Sequence, residues 1–343
     1  MLNLPMIHFF PSLHCNLRCP YCSQVDVRRP GISASSLYQD DGFLDLIGRI
    51  PRTHFFVSGG EPLIQKGLDG FLQRAGVHGH TVSFDTNGVV PLHVLEGMLD
   101  RHPRTMWGFF NITHHILAGV PFSTVKKVTG LFRRYDTPHF VKYIATPKQI
   151  PVIEQNMDTL RGLGTGVMVT ILETYKVPWQ GRCFPRGYTD EELLELLNMV
   201  TLKIHALQFF GGIHSAGRSC TSGCSFITYN MKNRLETTPC CHCNRRVPWE
   251  DTVFKGGDAE TAPCANDICL GDVMFVRGNQ GLFDEKERFA AICNGYSPRI
   301  RFESAMLFIE EVAEKSELVL QSRFEEFKAI YMPNGGRRYQ FVS

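Results

Sequence analysis

Six apolar, β-rich runs alternate with stretches of helical periodicity between residues 1 and 200, and that alternation restricts the fold more than any other feature of the chain. The runs are Ile7–Phe10, Thr53–Val57, His80–Phe84, Trp107–Ile112, Phe140–Ala145 and Val167–Leu172. Between them apolar residues recur at three- and four-residue spacing, as in Phe43, Leu46, Ile47 and Ile50, or Val125, Val128, Leu131 and Phe132. Pro91, Pro121 and Pro147 stand near the predicted helix starts, where a missing N–H does no harm. Thr189 with Glu192 forms a capping box ahead of Leu193, Leu194, Leu197 and Val200. The runs lack a clean apolar–polar alternation, as strands covered on both faces do. Repeated strand–helix units demand a parallel sheet with right-handed crossovers. The expected fold class is therefore α/β, a partial (β/α)6 TIM-like barrel over residues 1–205. Functional groups on such folds gather at the C-terminal ends of the strands. There the chain places Cys15, Cys19 and Cys22 after the first strand and Gly59-Gly60-Glu61-Pro62 after the second. Thr86-Asn87-Gly88 follows the third and His114-His115 the fourth.

From about residue 201 the texture changes. Residues 212–275 are rich in Cys, Gly, Thr and Asn. Their main β signal is hairpin-like: Phe226–Tyr229, a turn at Lys232-Asn233, then Arg234–Thr238. The segment has too little apolar matter for a core of its own and needs a metal to hold it. Helical periodicity returns between Phe302 and Tyr331, through Met306, Ile309, Val312, Phe324, Phe327 and Ile330. The expected division is a barrel over 1–205, a small Cys-rich domain over 206–300 and a C-terminal helical segment over 301–343.

Twelve cysteines in 343 residues carry the chemistry. Met1–His14 lacks the basic segment and long apolar stretch of a secretory signal, and no apolar run approaches the roughly 18 to 20 residues that span a bilayer. The expected location is cytoplasmic, where clustered thiols hold metal or do redox work. Lys plus Arg is 36 and Asp plus Glu is 34, a net charge of +2 that calls for neither nucleic acid nor a membrane surface. In Cys15-Asn-Leu-Arg-Cys19-Pro-Tyr-Cys22 three thiolates share one tight loop. Three ligands are one short of closing a cubane cluster or a structural zinc site, and a centre with an open position can take substrate or cofactor. A zinc site completed by His8 or His14 is the other reading.

This spacing, with the aromatic Tyr21 just before the third cysteine, resembles the signature of the radical S-adenosylmethionine (radical SAM) superfamily. The resemblance implies that Cys15, Cys19 and Cys22 hold a 4Fe-4S cluster whose fourth iron is chelated by S-adenosylmethionine. Gly59-Gly60-Glu61-Pro62 resembles the family's second element, which implies that the glycine carbonyls and the Glu61 side chain bind the methionine ammonium. Glycine suits close approach to the ligand because it carries no side chain. Asn87 resembles a third-strand motif near the cofactor, and Thr113, Lys142 and Glu173 stand at the ends of the later strands. The implied chemistry is reductive cleavage to methionine and a 5′-deoxyadenosyl radical, which abstracts hydrogen from a peptide or small polar metabolite. An electron donor such as flavodoxin or ferredoxin is implied with it.

Cys220-Thr-Ser-Gly, Cys240, Cys264 and Cys269 resemble the twitch domain, the shorter relative of the SPASM domain, in which four cysteines hold an auxiliary 4Fe-4S cluster. The match departs in its turn, Lys232-Asn233, and in Cys241 and Cys243, either of which could replace Cys240; zinc is the alternative metal. Cys183 and Cys293 read as buried small apolar residues. His114-His115 is equally a catalytic or a structural pair. Tyr175, Arg182 and Arg186 lie where substrate contact is expected, with a solvated loop face as the plain alternative. Members of that family that modify ribosomal peptides often carry an N-terminal leader-binding domain. With the first cluster at Cys15 none is expected here, so leader recognition is expected in a separate protein or the substrate is not a leader peptide. The rival function is a non-enzymatic zinc protein that binds RNA or protein through its Cys-rich segment.

Overall fold

The computed structural model describes residues 6–22, 36–172, 178–185 and 187–199, and beyond them short strands at 211–214, 226–230, 236–237, 247–248, 268–269 and 318–320. Two compact units divide the chain, residues 1–141 with 219–263 and residues 142–218 with 264–343. The first carries β1 (Met6–Phe10), α1 (Asp41–Ile47), β2 (His54–Val57), α2 (Leu68–Val77), β3 (Thr81–Thr86), α3 (Leu92–Arg101), β4 (Trp107–Thr113), α4 (Phe122–Arg134) and the start of β5 (His139–Ala145). The second holds the rest of β5, then α5 (Ile150–Gly162), β6 (Gly166–Ile171), α6 (Asp190–Leu197) and β7 (Gly211–His214). β8 (Phe226–Asn230), β9 (Glu236–Thr237) and β10 (Val247–Pro248) return to the first unit, and β11 (Ile268–Cys269) and β12 (Leu318–Leu320) to the second. All six strands expected from the sequence form. Among the described residues no helix is long and apolar enough to cross a membrane.

In the first unit β8, β1, β2, β3 and β4 lie side by side and parallel, with Met6 opposite His54 and His54 opposite Thr81. The Phe110 N–H donates to Pro138 O at 2.8 Å and carries the order on to β5. In the second unit Thr170 Oγ1 donates to Tyr143 O at 3.2 Å, setting β6 beside β5. The result is the expected α/β partial barrel of parallel strands and helices.

Aromatic side chains decide which face the helices cover. Phe9 stacks on Phe43 of α1 with centroids 4.4 Å apart, and Phe55 meets Phe71 of α2 edge-on at 5.5 Å. Phe110 stacks on Phe132 of α4 at 4.4 Å. Each fully buried Phe contributes roughly 1.5–3 kcal/mol. Side chains alternate across a strand, so His8, Phe10, Phe56, Ser58, Asp85 and Asn111 occupy the opposite face, where His8 stacks on Phe56 at 5.0 Å. The sequence signals at the helix ends hold. Pro91 and Pro121 cap α3 and α4, Pro147 opens the turn into α5, and Thr189 and Glu192 close the capping box of α6.

Two pairings were not expected from the sequence. Among the described residues β8 joins the main sheet parallel to β1, and β9 pairs antiparallel with β10. The reason is the edge of β1. A strand that is apolar on both faces has to satisfy its outer N–H and C=O groups with another strand. In the second unit β7 is the centre of a three-stranded antiparallel sheet with β11 and β12, so residues 318–320, within the segment expected to be helical, form a strand.

Candidate functional site

The site assembles in the first unit, where the chain leaves β1, β2 and β3. After β1 the cysteine loop begins, with Cys19 buried and Cys15 and Cys22 partly exposed. The Cys22 N–H donates to Cys19 O at 3.2 Å and tightens the turn around Tyr21. The Leu17 N–H donates to the Cys15 sulfur at 3.4 Å and Asn87 Nδ2 donates to it at 3.6 Å. Donors of this kind suit a thiolate, the form in which cysteine binds metal. Among the described residues no three His, Cys, Asp or Glu side chains gather around one ion-sized point; the thiolates of a cluster sit on separate irons and need no such point. The donor set, three cysteines on one loop with N–H groups aimed at a sulfur, fits an iron–sulfur cluster.

The turn after β2 is fastened to this loop through its backbone. The Gly60 N–H donates to Ser12 O at 3.0 Å and the Glu61 N–H to His14 O at 2.9 Å. Gln65 Nε2 donates to His14 O at 2.8 Å and to Glu61 O at 2.7 Å. A Cβ on Gly59 would stand 2.5 Å from Ser12 O, and one on Gly60 only 2.0 Å from His14 O. The glycines are therefore needed for the approach of the cysteine-bearing segment itself, a constraint that sequence reasoning assigned to the ligand.

Glu61 is wholly enclosed. Its Oε1 accepts from the Leu63 N–H at 3.1 Å and from Thr86 Oγ1 at 2.9 Å, and its Oε2 accepts from the Asn87 N–H at 2.7 Å. Burial pushes its carboxyl up to about 7, against the hydrogen bonds from Asn87, Leu63 and Thr86, which favour the anion. The carboxylate thus ties the turn after β2 to the end of β3. Pro62 follows it as the first residue of a buried 3₁₀ turn.

Asn87 carries the connection back to the cysteines. Its Oδ1 accepts from the Val89 N–H at 2.8 Å, which fixes the orientation of the amide, and its Nδ2 donates to Asn16 Oδ1 at 2.8 Å as well as toward Cys15. Asn16 Nδ2 in turn donates to Val89 O at 2.7 Å. Tyr21 reaches across to the loop after β4, its hydroxyl 3.1 Å from His115 Nδ1. Burial first, then Cys19 and Cys22, holds the Tyr21 phenol above its ordinary range.

The histidine pair divides its roles. His114 is buried and donates from Nε2 to Val120 O at 2.8 Å, with burial lowering its pKa, so it braces its own loop while His115 turns to Tyr21. Thr113 is buried at the end of β4, and Lys142 lies in β5 in the second unit. Arg182 has structural work to do: its guanidinium pairs with both oxygens of Glu192 at 2.8 and 3.0 Å and donates to Gly187 O. Cys183, expected to be buried, is exposed. Glu173, Tyr175, Arg186, Cys220, Cys240, Cys264 and Cys293 lie outside the described residues, and Cys269 is described as part of the β11 backbone. Sequence reasoning missed Ser12, Asn16, Gln65 and the Tyr21–His115 link. The Asn16 amide reaches Val89 O, 73 residues away, and that of Gln65 reaches His14 O, 51 away, and no local pattern encodes such contacts.

No curated protein matches the chain. Among solved structures it is similar to native anSMEcpe with bound AdoMet, at 14% identity and a TM-score of 0.54, covering 98% of this chain and 100% of that one. It is similar to native anSMEcpe with bound AdoMet and Kp18Cys peptide at 14% identity and TM-score 0.54, covering 96% and 97%. It is also similar to Streptococcus suis SuiB bound to S-adenosylmethionine, at 14% identity and TM-score 0.53, covering 72% and 63%. At such identities the likeness is one of fold. The sequence model of the Radical SAM superfamily matches residues 10–145, the segment that carries both the cysteine loop and the glycine turn.

Proposed function

We propose that this protein is a radical SAM enzyme that cleaves S-adenosylmethionine reductively and abstracts a hydrogen atom from a peptide or small polar metabolite. The observation that carries the reading is the fastening of the Cys15–Cys22 loop to the Gly59–Glu61 turn and to Asn87, three elements remote in sequence and joined at the strand ends. When bound, the reduced cluster with its chelated S-adenosylmethionine supplies the one-electron chemistry. Cys15, Cys19 and Cys22 would hold that cluster. Gly59, Gly60, Glu61 and Pro62 shape the turn expected to receive the methionine ammonium, and Tyr21, Asn87 and Thr113 line its surroundings. Burial of Glu61, Thr86, Asn87 and Thr113 keeps water out of the floor of the site.

The substrate side of the reading is supported by the neighbour solved with a bound peptide. Cys220, Cys240, Cys264 and Cys269 are proposed to hold an auxiliary 4Fe-4S cluster that assists electron transfer, with flavodoxin or ferredoxin as the donor and the cytoplasm as the setting. The test is anaerobic incubation of reconstituted full-length protein with S-adenosylmethionine and dithionite. Release of 5′-deoxyadenosine is expected, and Cys19→Ala should abolish it. Cys264→Ala should spare cleavage and stop product formation. Cleavage that survives Cys19→Ala would refute the site.

A further inference from the structure

Asn87 links the Glu61 carboxylate, through its backbone N–H, to the cysteine loop, through its side chain. Its backbone N–H is held by Glu61 Oε2 at 2.7 Å, so the residue is fixed before its side chain acts. The amide orientation follows from its partners alone. Oδ1 has to be the oxygen because it receives the Val89 N–H at 2.8 Å, and Asn16 Oδ1 has to be an acceptor because Asn16 Nδ2 is spent on Val89 O. Both protons of Asn87 Nδ2 are thereby directed, one to Asn16 Oδ1 at 2.8 Å and one to Cys15 Sγ at 3.6 Å. At 5% exposure Asn87 sits where little water competes for that second donor.

We propose that the Asn87 carboxamide tunes the N-terminal cluster: its N–H donates to the Cys15 thiolate and stabilises the reduced state. This rests on the reading that Cys15, Cys19 and Cys22 hold a 4Fe-4S cluster. The physical argument is electrostatic. One-electron reduction adds negative charge to the cluster and its sulfur ligands, and an N–H dipole aimed at a ligating sulfur favours the more negative form. The effect is largest where the dielectric is low and the donor cannot turn away. The Leu17 N–H reaches the same sulfur, but it is backbone and no side-chain substitution removes it. Asn87 is the adjustable donor of the pair. It acts through Cys15 and is a positioning residue.

The experiment is an anaerobic redox titration of the full-length reconstituted chain, followed by electron paramagnetic resonance. The signal that changes shape on adding S-adenosylmethionine identifies the N-terminal cluster among any others. Asn87→Ala removes the donor and should move the midpoint potential of that signal to a more negative value. Asn87→Asp sets a carboxylate against the thiolate and should move it further in the same direction, and Asn87→Ser, which keeps a short hydroxyl donor, should fall between wild type and Asn87→Ala. Equal potentials in wild type and all three variants, at equal iron content, would overturn the tuning role. Loss of the cluster in every variant would overturn it too, and leave Asn87 a purely structural residue. Absence of iron and sulfide from the reconstituted wild type would instead defeat the cluster reading itself, so the two failures are distinguishable.

Discussion

At the scale of single residues, the site is governed by what cannot be added as much as by what is present. Gly60 lies against backbone, with His14 O at 2.0 Å and Leu13 C at 2.7 Å from the position of a Cβ. Backbone atoms of a fastened loop have no rotamer through which to retreat. Gly60→Ala is therefore expected to displace the segment that leads into Cys15. Reconstituted Gly60→Ala should lose most of the iron and the S-adenosylmethionine-sensitive resonance signal. Gly70→Ala is the control. It sits in α2 with nothing within 4 Å of the added methyl, and should keep its iron and gain up to roughly 1 kcal/mol in helix propensity. Iron content close to wild type in Gly60→Ala would show that the loop adjusts, and that the glycine is kept for another reason.

At the scale of elements, β2, β3 and β4 are locked together near their starts by one histidine. His54 is buried, its Nδ1 is 2.8 Å from Thr81 Oγ1 across to β3, and its ring stacks with Phe109 of β4 at 6.3 Å. Gly108 leaves room for it, since a Cβ there would stand 2.6 Å from its Cε1. Burial lowers the His54 pKa from 6.5 to about 4. The folded chain holds it neutral, whereas the unfolded chain takes up a proton below about 6.5. Its contribution is thus present in full above about 6.5 and is lost as pH falls toward 4, by on the order of 3 kcal/mol over that window. Urea midpoints of the full-length chain between pH 7 and 4.5 should fall more steeply for wild type than for His54→Gln, which stays neutral and can still hydrogen-bond Thr81. Parallel profiles would show that His54 does not titrate with unfolding. His80 shares the direction of shift. It accepts the Thr53 N–H on Nδ1 and donates from Nε2 to Ile47 O, so only the neutral ring fits.

At the scale of the whole molecule, metal content measures how far the proposed scheme extends. Anaerobic reconstitution should give about eight irons with matching acid-labile sulfide if both the N-terminal and the auxiliary site fill with 4Fe-4S clusters. About four would restrict the scheme to Cys15, Cys19 and Cys22, and zinc without iron would overturn it. Much of the architecture was legible beforehand. The six strands, the capping box of α6 and the clustering of unusual residues at strand ends all follow from local periodicity and short-range hydrogen-bonding rules, which a chain states residue by residue. Contacts across long separations were not legible. The parallel union of β8 with β1, the Tyr21–His115 link and the circuit from Glu61 through Asn87 to Cys15 depend on which edges and donors meet after folding. By itself, then, the sequence determined a parallel strand–helix chain with a three-thiolate loop beyond its first strand, because spacing and polarity act locally. Only the tertiary structure decided that the two glycines serve the approach of one loop to another, and that Glu61 clamps backbone at the bottom of the site. Steric exclusion and buried hydrogen bonding are properties of neighbours in space, and the chain order does not record who those neighbours are.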